Sequence, residues 1–254
     1  MADSILQFDK VVAGYGRTTI LHGLSFSVRA GTITTLVGPN GAGKSTIFKA
    51  LFKVASVRSG RIRMRGEDVT GVCERGLLQR GLCFIPQGRN LFTGLSVREN
   101  LELGLAALPA RQATDGRIER MMARFPMLAD KAQAQASTLS GGQQKLLEIA
   151  RGLLLEPQVI LVDEPSIGLS PIAMQEVFTL LGQVRDQGVS VLMIEQNARS
   201  ALAISDDAVV VELGRVRRQS PAAELLADPA FGHLLFGGVL PANQFTLQTN
   251  QAYR

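Results

Sequence analysis

One local unit limits what this chain can fold into more than any other. The short apolar run Ile33-Thr34-Thr35-Leu36-Val37 stops at Gly38-Pro39-Asn40-Gly41-Ala42-Gly43-Lys44-Ser45, and Ile47, Phe48, Leu51 and Phe52 then recur at helical spacing over 44–53. A period-free apolar run followed by a 3.6-residue period reads as strand, glycine-rich loop, helix. Backbone N–H groups can close around an anion only where no Cβ intrudes, and the start of the following helix adds partial positive charge at the same point. Gly38, Pro39, Asn40, Gly41, Ala42, Gly43 and Thr46 are therefore expected to line a polyphosphate. In such a loop Lys44 reaches the β- and γ-phosphates and the Ser45 hydroxyl binds Mg²⁺.

Four further apolar runs read as buried strands: Leu82-Cys83-Phe84-Ile85, Val159-Ile160-Leu161-Val162, 189–194 and 208–211. Runs of that length, separated by helical stretches such as 173–184, predict a mainly parallel sheet covered on both faces, hence an α/β fold. Between about 87 and 157 strand signals vanish. Ser96-Val97-Arg98-Glu99 reads as a capping box opening a helix through Leu105, 117–125 reads as a second helix, and Ser140 as the N-cap of a third carrying Leu146, Leu147, Ile149, Ala150, Leu153 and Leu154. The expectation is one domain over 1–240, with a core lobe of about 1–86 and 158–240 and an inserted α-helical subdomain at 87–157. A polar, aperiodic tail follows at 241–254.

Hydrophobic residues make up 46% of the 254, enough for a large core. The net charge of +5 and an isoelectric point near 9.6 raise the question of a polyanionic partner. The arginines are dispersed, however, and small groups such as Arg61-Arg63-Arg65 or Arg215-Arg217-Arg218 read as solvated faces, so no specific nucleic-acid partner is expected. No run approaches the ~18 apolar residues of a membrane span, and the N-terminus lacks a signal peptide's apolar core. Cys73 and Cys83 fit neither a metal spacing nor a disulfide framework.

Two later motifs add chemistry. Asp163 ends an apolar strand, where an unpaired carboxylate is costly, so it is expected to face a Mg²⁺ shell, and Glu164 follows one residue past the strand end. Between them and the loop stands Leu139-Ser140-Gly141-Gly142-Gln143-Gln144-Lys145. The three motifs in this order resemble the ATP-binding-cassette (ABC) family of motor ATPases, over about residues 5–226. The resemblance implies a P-loop NTPase nucleotide-binding domain with N-terminal antiparallel β-strands, ATP and Mg²⁺ as cofactors, and closure of two copies over two ATP molecules. It makes Lys44 and Glu164 catalytic, Glu164 as the carboxylate that polarises the attacking water. Ser140, Gly141, Gly142 and Gln143 become the group that contacts the γ-phosphate held by the second copy. Gln87, after Phe84-Ile85-Pro86, falls where the family places a glutamine that touches metal or water and links the lobes. Tyr15 in Gly14-Tyr15-Gly16 falls where adenine stacks, an interaction worth ~1–3 kcal/mol.

Two positions depart from the family pattern. Glu195-Gln196-Asn197 stands where a histidine is usual, and Gln196 can donate to a γ-phosphate but cannot titrate. Ser170 replaces an aspartate that many members carry. Together with Glu164-Pro165-Ser166-Ile167-Gly168-Leu169-Ser170-Pro171 and Pro86-Gln87-Gly88-Arg89, these departures resemble the ATPase subunits of importers for branched-chain and other hydrophobic amino acids, with urea and short-amide importers close. That resemblance implies a second ABC ATPase subunit (homo- or heterodimer), two integral-membrane permease subunits, an extracytoplasmic solute-binding protein and a place at the cytoplasmic face of the membrane. A rival class, soluble ABC ATPases of nucleic acid or ribosomes, usually carries two cassettes or a long coiled coil, and this chain shows neither. A regulatory subunit without turnover is disfavoured by the presence of Lys44, Asp163 and Glu164.

Overall fold

Alternation inside the apolar strands dictates the architecture. In a computed structural model, which describes residues 4–88, 90–106 and 116–229, β7 (Val159–Asp163) sends Val159 and Leu161 into one core and Ile160 and Val162 into another. β8 (Ser190–Ile194) splits Leu192 and Ile194 from Val191 and Met193 in the same way. A strand whose neighbours on both sides are apolar must be covered on both faces, which is why these runs show no polar alternation. Arg89, residues 107–115, residues 230–240 and the tail expected at 241–254 lie outside the described residues.

The sheet that contains them runs β10-β9-β3-β8-β7-β6. β3 (Ile33–Val37), β6 (Leu82–Ile85), β7, β8 and β9 (Asp207–Glu212) pair in parallel, while β10 (Arg215–Pro221) closes the edge antiparallel to β9. A second sheet, ordered β2-β1-β4-β5, is antiparallel and is built from β1 (Ser4–Tyr15), β2 (Thr18–Arg29), β4 (Ser56–Met64) and β5 (Glu67–Asp68). Helix α1 (Lys44–Leu51) joins the two sheets in one apolar cluster through Ile47, Phe48 and Leu51. Phe48 meets Phe84 edge-on at 5.6 Å and Phe52 stacks on it at 5.0 Å.

After α2 (Glu74–Gln79), the other face of the parallel sheet carries α3 (Val97–Leu105), α4 (Arg117–Arg124), α5 (Pro126–Asp130), α6 (Gly141–Leu153) and α7 (Pro171–Asp186). Val97, Leu101, Leu147 and Phe178 share a cluster there with Ile33, Ile160 and Val191. Both expected caps form. Ser96 Oγ accepts from the Glu99 amide at 3.1 Å while Glu99 Oε2 accepts from the Ser96 amide at 2.7 Å, and Ser140 and Gln143 repeat the exchange at 3.3 and 3.1 Å. Among the described residues of 87–157 there is no strand beyond one isolated bridge, Ser96 to Gln135.

The expected strands appear where periodicity placed them, except that Val189 stays outside β8 and the helix read over 44–53 stops at Leu51. It stops because Lys53 takes a left-handed φ of 60°. Most elements that pattern did not reveal are short or polar. They are β5, β10, α2, α5, α8 (Ala198–Ile204) and α9 (Ala222–Ala227); β1, β2 and β4 are not read from periodicity either, and only the family resemblance implied N-terminal antiparallel strands. Among the described residues no helix is long and apolar enough to cross a membrane.

Candidate functional site

Parallel strands leave their carboxyl ends on one edge of the sheet, so the loops that follow neighbouring strands meet there. The glycine-rich loop follows β3, Gln196 follows β8, Glu164 follows β7 and Gln87 follows β6, and these four strands are consecutive neighbours in the sheet. Sequence distance is thereby erased.

The loop needs glycine where the fold crowds it. Gly38 has φ 149° and a Cβ there would stand 2.0 Å from the Val211 carbonyl oxygen; Gly43, φ 98°, would press on Leu21 at 3.1 Å. Gly41, φ 79°, is open to solvent at the tip with Asn40. No side chain caps the first turn of α1, so its leading N–H groups face the loop's concavity. A residue that the sequence reading passed over braces this arrangement: the Gly214 amide donates to the Ala42 carbonyl and its own carbonyl accepts from His22, both at 2.9 Å. A Cβ on Gly214 would lie 1.8 Å from the Ile20 carbonyl oxygen. The only sequence signal was a lone glycine between two strand-like runs.

Lys44 is 6% exposed and its Nζ donates to the Gly38 carbonyl at 2.7 Å and the Pro39 carbonyl at 3.0 Å. Burial holds its pKa below the usual lysine value, against the opposing pull of Glu164 and Asp163. Asp163 lies beside Ser45. Burial pushes its pKa up to about 6, the charge of Glu164 adds to the rise, and Ser45, Lys49 and Lys44 oppose it. Its Oδ1 is buried without a hydrogen-bond partner. A buried orphan carboxylate oxygen next to a hydroxyl is a donor set that suits Mg²⁺, which takes one or two protein oxygens and completes its octahedron with phosphates and water. No cluster of three or more His, Cys, Asp or Glu stands among the described residues to form an all-protein cage.

Glu164 is the centre of convergence. Its Oε2 accepts from Gln87 Nε2 at 2.7 Å and its Oε1 from Gln196 Nε2 at 2.9 Å, while its amide donates to the Ile194 carbonyl at 2.9 Å. The backbone there is left-handed, φ 48°, a conformation that a non-glycine residue keeps only when its surroundings enforce it. Gln196, whose amide can donate to a γ-phosphate, here donates to the carboxylate. Glu195 explains how Gln196 is aimed, and it was missed. Buried at 2% exposure, it accepts from the Ser166 amide at 2.8 Å, the Gln196 amide at 2.8 Å and the Asn197 amide at 3.0 Å, which binds the loops after β7 and β8 to each other. An acid placed directly between an apolar strand and Gln196 was the available signal.

The remaining expected residues stand apart from this cluster. Tyr15 is 38% exposed at the end of β1, opposite Thr18 across the hairpin whose Ile20 and Leu21 pack on Gly43. Arg58 holds that hairpin by donating to the Gly16 carbonyl at 2.8 Å and the Thr18 carbonyl at 3.1 Å. Thr46 is buried in the first turn of α1. Among the described residues Ser140, Gly141, Gly142 and Gln143 make no hydrogen bond to the P-loop: Ser140 and Gln143 bond to each other, and Gln143 accepts from Lys131 at 3.3 Å. Gly142 is required for packing, since a Cβ would stand 2.7 Å from that of Ala173. Ser170 caps α7 by accepting from the Ala173 amide at 3.3 Å. Burial pushes the Cys83 thiol up to about 12, which leaves it inert.

Comparison with known proteins places this geometry in a family. A family model described as ABC transporter matches residues 21–167. A high-affinity branched-chain amino acid transport ATP-binding protein, BraG, of Pseudomonas aeruginosa is 38% identical over 92% of this chain and 100% of its own length. A probable branched-chain amino acid transport ATP-binding protein, LivF, of Archaeoglobus fulgidus is 35% identical over 92% of this chain and 99% of its own. Among solved structures, the ADP conformation of an ATP-binding cassette of an ABC transporter superposes with a TM-score of 0.82 at 26% identity, covering 92% of this chain and 99% of that one.

Proposed function

This chain belongs to the ATP-binding-cassette family of transporter ATPases, and from that premise we propose that it is the ATP-hydrolysing motor of an importer for branched-chain or other hydrophobic amino acids. The observation that carries the catalytic part is the Glu164 carboxylate held between two glutamine amides from neighbouring loops. Each carboxylate oxygen has a second lone pair, so Glu164 can accept from a water as well and polarise it toward the γ-phosphate. The loop N–H groups and the α1 N-terminus receive the phosphates, and Lys44 Nζ exchanges two loop carbonyls for phosphate oxygens. Asp163 and Ser45 would hold Mg²⁺, which when bound neutralises charge on the β- and γ-phosphate oxygens. Tyr15 stacks on adenine. Ser140 and Gly141, exposed to solvent, with Gly142 packed on α7 and Gln143 half-buried beside Lys131, serve the nucleotide of a second ATPase chain, so that ATP closes a dimer and hydrolysis reopens it.

The names of the two relatives support the cargo. Two permease subunits, an extracytoplasmic solute-binding protein and a place at the cytoplasmic face of the membrane belong to the same proposal, as what an importer ATPase of this family would work with. The test is uptake into proteoliposomes that hold this chain with the permease subunits it co-purifies with, energised by internal ATP and supplied with the binding protein. Leucine, isoleucine or valine uptake is the expected result. Uptake of urea or short amides alone would transfer the chain to the sister importers, and recovery of ribosomes or nucleic acid in place of permeases would overturn the importer reading.

Gln196 offers a sharper test of the chemistry. Gln196→Ala removes a donor to a charged oxygen and is expected to lower ATP turnover roughly tenfold or more, whereas Gln196→His, which keeps an N–H at that position, is expected to retain most of it. Steady-state hydrolysis of the three proteins reads this directly. Wild-type turnover in the alanine variant would make Gln196 a bystander and show that proton transfer and γ-phosphate sensing both lie elsewhere.

A further inference from the structure

Helix α6, which begins at Ser140, carries three long polar side chains on one face at positions 145, 148 and 151. All three reach the loop that holds Gln87. Lys145 Nζ donates to the Gly88 carbonyl at 3.1 Å, Glu148 Oε1 accepts from the Asn90 amide at 2.7 Å and Arg151 donates to the Asn90 carbonyl at 2.7 Å. Lys145 and Glu148 also pair with each other at 2.5 Å, and with 5% and 3% exposure the pair is buried. Asn90 Nδ2 folds the loop back onto the Pro86 carbonyl at 2.9 Å.

A buried ion pair is poor evidence of a need for stability, because well-packed apolar residues in its place are often neutral or better. What such a pair supplies is fixed geometry, and here each partner's remaining hydrogen bond goes to the backbone of the same loop. Beside the pair lies a cavity of about 140 Å³, bordered by Phe84, Pro86, Asn90, Glu148 and Arg151.

We propose that Lys145 and Glu148 form a positioning clamp that makes the Gln87 loop and helix α6 move together, so that nucleotide at this chain's own P-loop sets the orientation of the Ser140 end offered to the second nucleotide. The inference rests on the reading of Gln87 and Ser140 as groups that serve two different ATP molecules. Information enters at Glu164, passes to Gln87 through the 2.7 Å hydrogen bond, and leaves along α6. The side chains of both clamp residues bond the Gln87 loop and each other, so both act by holding others.

Hydrogen exchange separates coupling from plain structure. In the full chain with a Mg²⁺-bound non-hydrolysable ATP analogue, amides of the Gln87 loop and of the first turn of α6 are expected to change protection together. In Lys145→Met/Glu148→Met the Gln87 loop should respond as before and analogue affinity should stay within about twofold, while the α6 response falls at least about threefold. The melting temperature is expected to fall only modestly, because apolar replacement of the pair itself is near neutral while the Gly88 carbonyl and the Asn90 amide each lose a partner. Undiminished α6 response in the double variant overturns the proposal, as does a wild-type protein that binds analogue without any change in α6. Should the double variant fail to fold, Glu148→Gln keeps an acceptor for the Asn90 amide and removes the charge; it is expected to show a partial loss, and a full wild-type response would overturn the clamp. Failure of the wild-type protein to bind analogue would instead refute the nucleotide reading on which the clamp rests.

Discussion

Lys44→Ala is expected to lower ATP turnover roughly 10²–10³-fold and to weaken MgATP binding with it, the size of effect seen when one preorganised electrostatic donor is removed from a site that stabilises developing charge. The side chain is 6% exposed, and in the described state its ammonium is spent on the Gly38 and Pro39 carbonyls at 2.7 and 3.0 Å. Alanine therefore removes the cation nearest the loop and leaves two carbonyls without their donor. Lys44→Arg restores the charge but not the compact ammonium, and a planar fork does not fit a point-charge position. It should recover little. Calorimetric titration with MgATP and steady-state hydrolysis, on protein whose circular dichroism matches the wild type, decide the matter; turnover within threefold of wild type in the alanine variant would remove Lys44 from the mechanism.

Glu164→Gln separates binding from chemistry. Loss of a general base typically costs ~10²–10⁴ in rate, so kcat should fall by that amount while ATP affinity changes only a few-fold. The site geometry should persist, because glutamine is nearly isosteric and either Gln87 or Gln196 can turn its amide to offer oxygen to the new NH₂ group. With hydrolysis blocked, ATP is expected to accumulate a closed dimer, measurable by light scattering on this chain alone and mixed with its partner ATPase. Monomers in both mixtures at saturating MgATP would count against closure of two chains over nucleotide.

Whatever is local and periodic was legible from residue spacing. Strand, glycine loop and helix over 33–53, the capping boxes at Ser96 and Ser140, and the doubly covered strands around 82–85 and 159–162 all follow from spacing within a dozen residues, because caps, turns and helical faces are made by near neighbours. Asp163 was legible as well, since a carboxylate at the end of an apolar strand must find a purpose. Resemblance to a family supplied Gln87 and Gln196 as candidates without saying what each would touch.

Those contacts came from strand adjacency. Gln87 is 77 residues from Glu164 and Gln196 is 32 residues away, yet both amides meet one carboxylate, because β6, β7 and β8 are adjacent parallel strands whose carboxyl ends share an edge. The need for glycine at Gly214 came from the close passage of β2, and at Gly38 from β9, neither of which is near in sequence. Glu195 meets three backbone amides only because the loops after β7 and β8 adjoin, and Lys145 and Glu148 are buried only because α6 lies against the Gln87 loop. A carboxylate or ammonium carries no mark in the sequence that says whether water or a backbone group will satisfy it. Burial makes that choice, and burial is a property of the packed sheet and helices.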